Sequence, residues 1–161
     1  MNLIDQSIEQ IDFALRRRFF WIECRFDRDA LLTVCRAKWQ ARKLRGHPWD
    51  RVAADFEQLA SAAVALNEMI CESRHLGSAF EIGHTYFFDV IDFLAHDLRG
   101  TERGRKQYLW GTKGPRAAVE NLWRLSLRPL LLEYLRGLEE KDRVTELDRL
   151  REEFLKVRPA D

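Results

Sequence analysis

Three consecutive arginines, Arg16, Arg17 and Arg18, stand near the start of the chain. A guanidinium keeps its charge at any physiological pH and presents a planar fork of donors that matches phosphate or carboxylate oxygens. Without an anion to meet, such a cluster reads as a solvated helix C-terminus, where the helix dipole favours positive charge. Asn2 carries an amide that can both donate and accept hydrogen bonds. Ile82-Gly83-His84-Thr85-Tyr86 reads as a helix start. Gly83 permits a tight backbone there, and Thr85 can cap the helix led by Tyr86. His84 either is a packed, hydrogen-bonded imidazole or touches a ligand together with Tyr86.

Two further constellations carry chemistry. Ala30 to Trp49 holds five Arg or Lys residues and no acid, with Trp39 and Trp49 interleaved. Residues 99–116 hold Arg99, Arg103, Arg105, Lys106, Lys113 and Arg116 against only Glu102. Stretches of this kind can line a phosphate backbone, and they also occur as solvated faces and loops. Glu72-x-x-His75 and Glu81-x-x-His84 are two E-x-x-H motifs of the sort that di-iron bundles use. Their separation of nine residues across Gly77 keeps them off two long facing helices, and no Cys/His spacing fits zinc, so no metal site is expected.

These residues must be held by a scaffold of 161 residues, which is about one domain. Hydrophobic residues make up 46% and charged residues 33%, enough to bury a core. Only 8 Gly and 4 Pro, among so many charges, point to helices. The net charge is +1, so any nucleic-acid contact must come from local patches. The longest uncharged stretch, Gln58 to Asn67, is far short of a membrane span of about 20 apolar residues. Met1 to Asp5 shows no signal-peptide pattern, and the odd count of three cysteines without a CxxC pair suits buried free thiols in a reducing cytoplasm.

Phe19 to Cys24 reads as one short buried strand, the only one in the chain. A lone strand leaves its backbone groups unpaired, so its sheet must lie in a partner or in sequence beyond these residues. Asp27 and Asp29 can cap a helix running to about Leu44, with Leu31, Leu32, Cys35 and Trp39 inward, ended by Gly46-His47-Pro48. Val52, Phe56, Leu59, Ala63, Leu66 and Ile70 form one helical face that ends before Gly77, with small residues from Ala60 to Ala65 allowing close approach. A helix through Phe87, Val90, Ile91, Leu94 and Leu98 follows, then an exposed loop over 99–115. A helix from about Arg116 to Leu135 must kink or split at Pro129, and the last helix uses Val144, Leu147, Leu150, Phe154 and Val157. The expected organisation is residues 1–26 as the end of an α/β core and 27–161 as a helical bundle.

Three motifs in order carry a family resemblance over about residues 1–135. Met1-Asn2-Leu3-Ile4-Asp5-Gln6-Ser7 is followed by Ile11-Asp12-Phe13-Ala14-Leu15-Arg16-Arg17-Arg18-Phe19. Leu66-Asn67, Leu76-Gly77 and Ile82-Gly83-His84-Thr85-Tyr86-Phe87 come next, then Trp123, Pro129-Leu130-Leu131 and Glu133-Tyr134. The pattern resembles the second half of an AAA+ NTPase core and its helical lid. More narrowly, it resembles the McrB-type branch, the NTP-driven motor subunit of modification-dependent restriction systems. Gln6 and Thr85 stand where that branch has Arg and Ser. No G-x-x-x-x-G-K-[ST] phosphate loop occurs in these residues, so the chain alone is not expected to hydrolyse NTP.

The resemblance implies a homo-oligomeric ring, a hexamer in expectation, with ATP or GTP and Mg²⁺ held mainly by residues outside this sequence. It implies a nuclease subunit as partner, with DNA as the target. Arg17, with Arg16 next and Arg18 beside them, would be the arginine finger reaching a neighbouring subunit's nucleotide, an effect worth about 10³–10⁵ in rate. Asn2 would be the sensor-1 residue. Gly83, His84 and Tyr86 would face base or ribose, and Arg103, Arg105 and Lys106 would be the nucleic-acid candidates. The alternative is a stand-alone helical interaction or DNA-binding regulatory module.

Overall fold

A computed structural model describes residues 18, 24–98, 108–110 and 117–156. Helix α1, Arg28–Ala41, begins where the Asp27 carboxylate accepts the Ala30 N–H, and it buries Leu31, Cys35 and Trp39, with Leu32 partly buried. A tight turn with positive φ at Lys43 and Gly46 leads into α2, Trp49–Glu72, the central helix. All six apolar residues of its expected face are fully buried, and Ala60, Ala62 and Ala63 let its neighbours approach. It ends as expected near Gly77, whose φ of 103° puts its N–H within reach of the Ile70 carbonyl. A 3₁₀ turn over Ser78–Phe80 follows.

The next helix is split. α3 spans His84–Phe87 and α4 spans Asp89–Leu98, with Phe88 as a turn between them. Phe87, Val90, Ile91, Leu94 and Leu98 are all buried, so the periodicity identified the inward face but not the break. α5, Ala118–Leu122, passes through a π turn at Trp123–Leu127 into α6, Arg128–Tyr134. The cause is Pro129, which has no N–H and whose ring crowds the carbonyl four residues back. Widening the turn lets the Arg128 N–H reach Trp123, five residues back, and the helix bends rather than breaks. α7, Glu140–Leu155, closes the bundle.

α7 packs along the C-terminal half of α2, and a polar knot secures the junction. Ser73 Oγ donates to the buried Glu146 carboxylate at 2.7 Å, and Arg149 pairs with the same carboxylate at 3.0 Å. Phe154 enters the core against Trp123 and Phe87, with ring centroids 5.9 Å and 6.3 Å away. Arg151 reaches Glu120 on α5, and Arg42 pairs with Asp92 on α4.

Three expectations change, and one lies outside the described residues. The stretch 99–115 is not exposed throughout: Tyr108 and Leu109 are buried, because Asp55 on α2 accepts both of their N–H groups at 2.8 Å. Val144 is 49% exposed, since the inward face of α7 runs through Glu146, Leu147, Leu150 and Phe154. Only Cys35 is a buried thiol, with burial pushing it up to about 12, while Cys24 and Cys71 are exposed. The strand placed at Phe19 to Cys24 lies outside the described residues apart from Cys24, which is irregular, and no strand occurs among the described residues. No described helix is long and apolar enough to cross a membrane.

Candidate functional site

The start of α3 is positioned by a side chain fifteen residues upstream. Asn67, 3% exposed on the inner face of α2, donates from Nδ2 to the Ile82 carbonyl at 3.0 Å. Its Oδ1 accepts the Ile82 N–H at 2.8 Å. One amide thus pairs with one residue's whole backbone, as a neighbouring strand would, and satisfies two buried polar groups at once. Two of the sequence motifs, Leu66-Asn67 and Ile82 to Phe87, are therefore in direct contact.

His84 works in the other direction. Its Nε2 lies 2.8 Å from the Asp27 nitrogen and 2.9 Å from the Asp27 carbonyl oxygen. With the ring proton on Nδ1, Nε2 accepts the Asp27 N–H; with the proton on Nε2, the ring donates to the carbonyl. The imidazole stacks on Phe26 at 4.8 Å with a 14° tilt, and Phe26 meets Phe87 edge-on at 5.5 Å. Because the Asp27 carboxylate also caps α1, His84 clasps together the 24–27 segment, the start of α1 and the start of α3.

The clasp occupies one ring nitrogen and one ring face of His84. Tyr86 remains 38% exposed on the adjoining surface. Gly83 precedes the helix at φ −70°, with nothing within 4 Å of where a Cβ would stand, so the backbone here does not require glycine. Helix α3 begins at His84 rather than Tyr86, with no side chain capping it, so Thr85 is not its cap.

Beside this start lies a groove of about 440 Å³ whose walls include Lys38, Arg42, Thr85, Phe88, Asp89 and Asp92. Asp89 accepts from Ser126 at 2.6 Å, Asp92 is paired with Arg42, and Lys38 sits 5.1 Å over the Phe88 ring. Two carboxylates and two cations thus share this wall, and Arg42 with Asp92 and Asp89 with Ser126 are already engaged with each other. The E-x-x-H motifs serve separate local tasks. His75 accepts from Arg74 at 2.8 Å while His84 forms the clasp, and no group of three or more His, Cys, Asp and Glu able to hold a metal occurs among the described residues.

Of the residues singled out from sequence, Gly83, His84 and Tyr86 share this corner. Arg18 is exposed. Asn2, Arg16, Arg17, Arg103, Arg105 and Lys106 lie outside the described residues. The positioning roles of Asn67 and Phe26 were not read from sequence. The available signal was an asparagine on the apolar face of α2, where an amide is stable only if something satisfies it.

Asn67→Leu keeps the volume and removes both bonds, leaving the Ile82 N–H and C=O buried and unpaired. At about 1–3 kcal/mol for each of the two orphaned groups, the expected loss is about 2–6 kcal/mol in urea unfolding. A loss below about 0.5 kcal/mol would remove Asn67 from this role.

No curated protein and no solved structure matches the chain. The family model described as McrB, alpha-helical lid domain, matches residues 58–143, from the middle of α2 into α7. Both the Asn67–Ile82 pairing and the His84 side of the clasp fall inside that match. It covers more than half of the chain, and the chain belongs to the McrB alpha-helical lid domain family.

Proposed function

We propose that this chain is the lid of a ring-forming AAA+ NTPase, in expectation a hexamer, that hydrolyses ATP or GTP with Mg²⁺ and drives a nuclease subunit acting on DNA. The observation that carries the reading is the His84–Asp27 clasp within a McrB-type lid. It joins the helix start of the lid to a segment only nine positions beyond Arg18 in the sequence. A shift of α3 is thereby passed to the chain that follows the arginine cluster, which is the linkage a lid needs if nucleotide state is to be felt at a neighbouring subunit. Tyr86, exposed beside the clasp, is the side chain left to meet a base or ribose. Phosphate and metal are held by residues other than the described ones.

An assay of phosphate release tests this. The purified 161-residue chain is expected to release none from ATP or GTP. The same residues carried in a ring with a complete phosphate loop are expected to turn over repeatedly. Turnover by the chain alone, or a ring whose rate is indifferent to replacing residues 24–156, overturns the reading.

A further inference from the structure

The α1–α2 turn carries a concentration of positive charge that the lid reading does not use. Lys43 and Arg45 of the turn, and Arg36 of α1 five residues before that helix ends, are exposed, and no described acid lies in ion-pair contact with any of them. The turn is firmly built. Lys43 N–H donates to the Gln40 carbonyl, Trp39 Nε1 donates to the His47 carbonyl at 3.0 Å, and Arg51 donates to the Gly46 carbonyl at 3.0 Å. Cations on such a platform lose less freedom on meeting an anion than cations on a loose loop. Tyr108 packs edge-on against His47 of the same turn at 5.7 Å, bracing it further.

The turn is well separated from the α2–α7 junction. α2 has 24 residues and is roughly 36 Å long. The basic turn is at its N-terminal end. At its other end Ser73 and Met69 meet Glu146 and Arg149 of α7, whose first turn carries Glu140 and Asp142 with Lys141 and Arg143. The basic turn thus stands at the opposite end of α2 from a junction of mixed charge, and the net charge is only +1.

From this arrangement we infer that the α1–α2 turn and the adjoining C-terminal half of α1 bind the phosphodiester backbone of duplex nucleic acid, with Lys43, Arg45 and Arg36 as the contacting cations. The aromatics of the region do not offer stacking platforms. Trp39 is 2% exposed, and Trp49 is stacked on Phe56 at 5.1 Å. With Trp39 buried and Trp49 packed on Phe56, the contact reads charge and not sequence.

The test is a fluorescence-anisotropy titration of the full chain against labelled 30-base-pair DNA duplexes of two unrelated sequences. Binding in the micromolar to 100 μM range is expected, within about threefold for the two sequences. Three phosphate contacts predict about a forty-fold weakening between 50 and 200 mM salt, from a slope of about −0.9 per contact. Lys43→Asn with Arg45→Gln should cut affinity at least tenfold and reduce the salt effect to about three- to fourfold, with the circular dichroism unchanged. Asparagine is chosen because Lys43 sits at φ 49°, a region it tolerates. No binding at 50 mM salt, equal affinity of variant and wild type, or strong preference for one duplex overturns the inference. NTP turnover takes no part in this assay, so its outcome is independent of the lid reading.

Discussion

Arg17→Ala, carried in an assembled ring, is expected to lower NTP turnover by about 10³–10⁵ while leaving nucleotide affinity within a few-fold. In phosphoryl transfer the charge spreads over the γ-phosphoryl oxygens, and a guanidinium arriving from outside the binding subunit neutralises it only as it develops. An interaction made in the transition state alone lowers kcat and kcat/KM together. Arg17→Lys should restore little, because an ammonium is a point charge without the planar fork. A finger works on the neighbour's nucleotide, so mixing experiments separate it from a structural arginine. Subunits with Arg17→Ala but an intact phosphate loop, mixed with subunits of the opposite defect, should regain part of the turnover that neither has alone. A ring that keeps its wild-type rate with Arg17→Ala would favour a helical module with no part in hydrolysis.

How far the sequence leads is clearest at α2. A run of six apolar residues stepping by three and four can bury only one way, and all six are at 0% exposure. Longer-range choices were not visible. The break at Phe88 between α3 and α4 leaves the inward periodicity nearly intact, so nothing in the spacing reveals it. Pro129 announced a disturbance, but whether the chain would split or widen into a π turn depends on packing around Trp123 and Leu127, which are both buried. At the candidate site the sequence offered Gly83, His84 and Tyr86 as one segment. The partners of that segment come from residues 26, 27 and 67, and a side chain's choice of a backbone partner fifteen or fifty-seven positions away leaves no local pattern. The residues 99–115 misled for a related reason. Glycines and charges outvoted Tyr108 and Leu109, whose burial depends on an acid on a different helix.

That acid supports the second large expectation. Asp55→Ala should cost about 2–5 kcal/mol, because the buried N–H groups of Tyr108 and Leu109 lose their only described acceptor. Asp55→Asn keeps an oxygen in place and removes a charge from the interior, so it should be near neutral or stabilising at pH 7. The pH dependence follows from the balance at this carboxyl. Burial is the largest influence and pushes Asp55 up, and the N–H groups of residues 108–110 pull it back without cancelling the rise. A carboxyl that holds its proton more tightly when folded contributes stability that is complete below its unfolded value of about 3.9 and is lost as pH rises through its folded value. The stability of Asp55→Asn relative to wild type should therefore increase as pH is raised from about 4. Urea unfolding of both proteins across pH 4–7 measures it. A difference that stays flat, or that favours wild type as pH rises, would mean that the 108–110 amides hold the ionised carboxylate at least as strongly as burial opposes it, and Asp55 would then act as an anion clamp on that segment.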